Sequence, residues 1–125
     1  MRFYCAVKRG AFYFFPGGHV EFAEKAESAM VRELLEEIGE TATGVNFIGV
    51  VENIFEKDDK KNHEINLLFE AKIPRTEIKS AEDEIEFCWL DTEKIKDSKI
   101  MPLVMKNCVI QWVIDKQSFW GSQDL

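Results

Sequence analysis

Apolar and polar positions along this chain change period several times, and each change marks an element. FYCAV and AFYFF are apolar, aromatic runs split by the polar turn KRG, which predicts two short strands. PGGH reads as a loop. Over residues 25–38 the period becomes helical, with Met30, Leu34 and Ile38 four residues apart and Gly39 as the stop. VNFIGVVENIF, the polar EKDDKKN and HEINLLFEAKI then predict a β-hairpin with a long polar turn. RTEIKSAEDE is a polar loop ahead of IEFCWL, a short strand, and DTEKIKDSKI is a loop with a turn of helix. PLVMKNCVIQWVID closes the pattern as an amphipathic helix with Pro102 at its start. Strands on both sides of one internal helix, followed by a second helix, predict an α/β (α+β) domain: a mixed sheet with helices packed on it. No repeat, linker or low-complexity segment interrupts residues 1–125, so the chain is expected to form a single domain.

The internal helix has two faces. Met30, Val31, Leu34, Leu35 and Ile38 make an apolar arc, while Glu33, Glu36, Glu37 and Glu40 fall within an arc of roughly 100° beside it. That acidic face is locally unfavourable. Glu33 and Glu37 repel at i, i+4, by roughly 0.2–0.5 kcal/mol. All four acids sit toward the C-terminal end, where the helix dipole disfavours anions by roughly 0.3–1 kcal/mol each. A bound hard cation would remove both costs, and carboxylate oxygens select Mg²⁺, Ca²⁺ or Mn²⁺.

Composition narrows the partners. The 125 residues carry a net charge of −7, which argues against a nucleic-acid polymer as partner but not against a small phosphate ligand bridged by a cation. No apolar run approaches a membrane span, and no signal-peptide pattern is present. Cys5, Cys88 and Cys108 are odd in number and widely spaced, which favours a reducing compartment, the cytoplasm, over a disulfide framework or zinc site. His19 and His63 have no ligand-like spacing to another His or Cys and read as structural.

From Gly18, five residues intervene before Glu24 and seven more before Arg32, which opens RELLEEIG. This spacing resembles the Nudix box, G-x5-E-x7-R-E-U-x-E-E-x-G-U with U aliphatic, filled here by Gly18, Glu24, Arg32, Glu33, Leu34, Glu36, Glu37 and Gly39. Glu40 departs from the pattern at its final aliphatic position. Ala23 stands where many members have Gly before the first box glutamate. The flanking FPGGHVEF and the later EIEFCWL also look like the family.

The resemblance implies a Nudix fold, a mixed β-sheet sandwiched between α-helices (αβα). It implies a hydrolase that cleaves the diphosphate of a nucleoside diphosphate linked to another moiety, by water attack on phosphorus with Mg²⁺ or Mn²⁺. Glu33, Glu36 and Glu37 would be the metal ligands and catalytic acids. Glu24 and Arg32 would form a supporting ion pair, with Gly18 and Gly39 permitting tight backbone. A general base outside the box would come from SAEDEIEF, with Glu82 or Glu84 preferred over Asp83 and Glu86; Glu33 is the other candidate. Lys8 and Arg9 are candidate phosphate contacts. The marks of dinucleoside polyphosphate, ADP-ribose and NADH hydrolases are missing, which leaves a nucleoside triphosphate or a related small nucleotide. A nucleotide-binding or regulatory module without turnover is the alternative. Members of the family usually have more strand ahead of CAVKRG than MRFY supplies. A shortened N-terminal strand region would leave a sheet edge uncovered, so a homodimer is expected.

Overall fold

The computed structural model describes residues 3–10, 12–74 and 86–124, with side chains other than those of 3–9, 86 and 87. Strand β1 (Phe3–Arg9) turns through Gly10 into β2 (Phe12–Phe14). Helix α1 (Ala26–Ile38) follows, then β3 (Thr43–Lys57), β4 (Lys60–Lys72) and β5 (Glu86–Asp91). Helices α2 (Thr92–Asp97) and α3 (Leu103–Asp115) lead to β6 (Phe119–Gln123). The strands divide between two three-stranded sheets, ordered β2-β1-β5 and β4-β3-β6. The first is antiparallel; the second is mixed, because β6 runs parallel to β3. The mixed α+β class expected from the sequence is therefore present.

Three details differ from the sequence reading. The hairpin turn is not the long EKDDKKN. Lys57 pairs with Lys60, and only Asp58 and Asp59 make the turn, at φ 55° and 59°. Two successive positive φ values suit a two-residue turn that follows the strand twist, and Asp tolerates that region better than most residues. The chain also does not close on α3, because FWGSQ adds β6 to the second sheet. Finally, β1 is not an edge but the central strand of its sheet.

The core is built in three parts. Leu90, Ile95 and Ile100 are buried together with Tyr13 and Phe15 against them. Val51 of β3 is buried with Met105 and Val109 of α3. Phe15 packs on both clusters, and so does α3, through Ile110 on the first and Met105 and Val109 on the second. These contacts tie the two sheets together. The third cluster seats α1: Leu34 and Ile38 pack with Ala42, Val45, Ala71 and Ile73 at one end of the β3–β4 hairpin. Leu35, expected on the apolar arc, is 52% exposed; the buried stripe of α1 is Ala29, Leu34 and Ile38. Asn53 is a buried polar residue whose Oδ1 has no hydrogen-bond partner.

Glu52 fastens the second sheet across its strands. Its carboxylate accepts from Ser122 Oγ at 2.9 Å and lies 2.7 Å from His63 Nε2. These contacts hold the Glu52 carboxyl below the usual carboxylate range.

Candidate active site

The site begins with a loop and a helix that approach closely. Pro16 to Lys25 carries the chain from β2 to α1. Within it Glu24 N donates to Glu21 O at 3.1 Å and Glu21 N donates to Glu24 Oε1 at 3.0 Å, so the Glu24 side chain folds back over its own turn. At the far end Gly39 takes φ 80° and its N–H donates to Leu35 O at 2.9 Å, a left-handed cap that glycine adopts without steric cost.

Arg32 joins loop to helix. Its Nε donates to Glu24 Oε2 at 2.8 Å and its Nη2 to Glu24 Oε1 at 3.0 Å, a two-point fork. Nη2 also donates to the carbonyl of His19 at 3.2 Å. Nη1 reaches the helix acids, Glu33 Oε1 at 2.9 Å and Glu36 Oε2 at 3.3 Å. One guanidinium thus contacts three carboxylates and a loop carbonyl. The hydrogen bond from Arg32 holds the Glu24 carboxyl down to about 2, while Glu24 raises Arg32 further above its ordinary range.

This arrangement changes the argument about the acidic face. Part of the like-charge cost on α1 is offset within the protein, by Arg32, and not only by an external cation. A Cβ added at Gly18 would collide with the Glu33 carboxylate. Gly18 therefore serves by leaving space, since its φ is ordinary. The Glu33 carboxylate is held between the Gly18 backbone on one side and Arg32 on the other, largely buried at 16% exposure. Glu36 is more open at 58%, and Glu37 lies half-buried one turn on from Glu33.

The donor set suits a hard divalent cation, since carboxylate oxygens are the ligands such ions take. The cradle around Glu33 fits the same purpose by fixing one carboxylate against the loop. Among the described residues, no three His, Cys, Asp or Glu side chains are gathered into a group able to hold a metal ion. In the arrangement described, Glu33 and Glu36 are turned toward Arg32.

Other sequence candidates fall elsewhere. Glu82 and Glu84 lie outside the described residues, as does Asp83. Lys8 and Arg9 lie on β1, opposite Tyr13 and Phe12, and only their backbone is described. His19 enters the site through its carbonyl, a role no sequence pattern signals. Ala23 was notable only as a departure from the family pattern; its backbone has φ 65°, left-handed for a residue with a Cβ. Cys108 lies on α3, away from the acidic face and partly buried against the Val51 cluster, and burial pushes its thiol up, which makes it a poor nucleophile.

A glycine loop clamped to an acid-faced helix, set on a mixed sheet, defines a class of phosphate-anhydride hydrolase. The NUDIX domain family model matches residues 2–109, and the chain belongs to the Nudix family. It is a Nudix-type pyrophosphohydrolase acting on nucleoside diphosphate derivatives, in a family that generally uses a divalent metal. The fold is similar to that of a mutator MutT protein from Bacillus halodurans, with TM-score 0.76 and 16% identity over 94% of this chain and 78% of that one. A NUDIX hydrolase from Nitrosomonas europaea matches at TM-score 0.75 and 16% identity, over 97% and 71% of the two chains. The MutT protein from Methanosarcina mazei Go1 matches at 0.69 and 22% identity, over 91% and 85%.

Proposed function

We propose that this chain, as one Nudix domain, hydrolyses a nucleoside triphosphate or a related small nucleotide with Mg²⁺ or Mn²⁺. The observation that carries the proposal is the Glu33 carboxylate held between Gly18 and Arg32. Glu33, Glu36 and Glu37 would hold the ion, which when bound neutralises charge on the diphosphate and activates water. Arg32 and Glu24 position that set: the fork fixes the guanidinium, and the guanidinium fixes the loop over Glu33. The base that takes the proton from water is Glu33, Glu82 or Glu84, and Lys8 and Arg9 supply phosphate contacts. The working unit is a homodimer in the cytoplasm, where Cys108 remains a free thiol.

A panel of nucleoside triphosphates and diphosphate-linked nucleotides, with Mg²⁺ or Mn²⁺, tests the reading through release of pyrophosphate, phosphate or monophosphate. The expected result is metal-dependent release of a nucleoside monophosphate from at least one of them. Glu36→Gln and Glu37→Gln each remove most of that activity. Metal-dependent nucleotide binding without turnover would overturn the proposal in favour of a binding module.

A further inference from the structure

The second sheet has two edges, and they are built differently. β4 carries Lys60, Lys61, Glu64, Glu70 and Lys72, and its pairing with β3 is interrupted by bulges near Asn46 and Gly49. Charges and bulges of this kind keep other strands away from an edge. β6 has neither device. FWGSQ contains no charged residue and no proline, and its ladder with β3 is regular from Gly49↔Phe119 to Asn53↔Gln123. Among the described residues no strand pairs with its outer side. In the first sheet the outer side of β2 is already used, since Tyr13 N donates to Lys99 O and Tyr13 O accepts from Met101 N.

Beside the open edge lies a groove of about 530 Å³ between α3 and β6, which shares no residue with the acidic face. Leu103 and Trp120 stand at its rim, 53% and 63% exposed. None of the residues lining it is charged. On a chain of net charge −7, this neutral strip is a place where a second copy can approach without direct like-charge contact. Antiparallel pairing about a two-fold axis at Trp120 sets Phe119 against the second copy's Gly121 and places only uncharged residues of β6 opposite one another. The same axis brings the two exposed Trp120 side chains together, and Trp is among the residues that most often dominate an interface.

We infer that β6 is the self-association edge of this protein: two copies pair their β6 strands antiparallel, joining two three-stranded sheets into one continuous sheet. This deepens the proposed homodimer and is tested apart from hydrolysis. An inactive dimer would sink the hydrolase reading and leave the interface standing.

Sedimentation equilibrium of the full chain, from about 1 to about 300 micromolar, measures the dimer directly. The wild type is expected to dimerise within that range. Trp120→Phe keeps the dimer, while Trp120→Lys raises the dissociation constant about tenfold or more by placing like charges at the axis. Trp120→Cys guards against misfolding of the lysine variant. Paired Cα atoms about 4.5–5.5 Å apart lie within disulfide reach, so mild oxidation joins the two introduced thiols. A wild type that stays monomeric throughout overturns the inference, even if it binds an extended peptide along β6. So does a dimer that Trp120→Lys leaves unchanged and Trp120→Cys does not cross-link.

Discussion

Glu24 and Arg32 meet as a two-point fork, with Nε–Oε2 at 2.8 Å and Nη2–Oε1 at 3.0 Å, and the rest of the acidic site is arranged around it. The same guanidinium reaches Glu33 and Glu36, so the pair transmits the position of the loop to the helix carboxylates. A lysine in place of Arg32 could reach one of these groups at a time but not the fork and the helix together.

Arg32→Ala is therefore expected to lower kcat/KM by about 10- to 100-fold, the usual cost of losing a group that orients metal ligands. Arg32→Lys recovers part of the loss. Steady-state kinetics with metal titration checks this, and an alanine variant with wild-type kcat/KM and metal dependence would reduce Arg32 to a surface charge.

Acid should weaken the fold through Glu24. Its carboxyl is held at about 2 when folded, against an ordinary value of 4.5 for a glutamate. The unfolded chain binds this proton first as pH falls. The stabilisation is complete above 4.5 and declines as pH drops toward 2. Melting temperature followed across that window should fall less steeply in Glu24→Gln than in wild type. Parallel curves would show that the fork does not stabilise the fold.

Gly18→Ala should impair the site more than the fold. The new Cβ would press on the Glu33 carboxylate, which can swing away at little structural cost but then leaves its position. A misplacement of about 1 Å at a reacting centre costs on the order of 100-fold. The expectation is a melting temperature near wild type with kcat/KM reduced by about that factor; unchanged kcat/KM would mean Glu33 need not stay where it is.

Ala23 adopts φ 65°, and a left-handed residue with a Cβ costs roughly 1–2 kcal/mol. Glycine removes this strain but adds about 0.4–1 kcal/mol of unfolded-chain entropy. Ala23→Gly should thus stabilise by up to about 1.5 kcal/mol, read as a higher denaturation midpoint at constant slope. A lower midpoint would show that the Ala23 turn is not strained.

Asn53→Val should also stabilise. Oδ1 of Asn53 is buried without a partner, and such a group costs about 1–3 kcal/mol. Valine suits the strand and brings no unpaired atom. The expected gain is on the order of 1 kcal/mol in denaturant unfolding; a loss would mean that the amide is satisfied in solution.

The acidic site was legible in the sequence to the extent that its geometry is local. The extent of α1, its Gly39 stop and the shared face of Glu33, Glu36 and Glu37 follow from helical period and from the backbone freedom of glycine. The strand character of β1, β3, β4 and β5 follows from apolar and aromatic runs. The same local rules misplaced what depends on distant partners. FWGSQ carries no clear period, and it becomes β6 because β3 offers it a parallel edge and α3 packs beside it. Leu35 matched the apolar arc, yet the hairpin meets α1 along Leu34 and Ile38 and leaves Leu35 in solvent. The reach of Arg32 beyond Glu24, to the His19 carbonyl and to Glu33 and Glu36, and the space that Gly18 leaves for Glu33, were outside the pattern. Sequence spacing fixes which side chains share a face along one element. Only the packed fold decides which elements meet, because that depends on how whole apolar surfaces fit together.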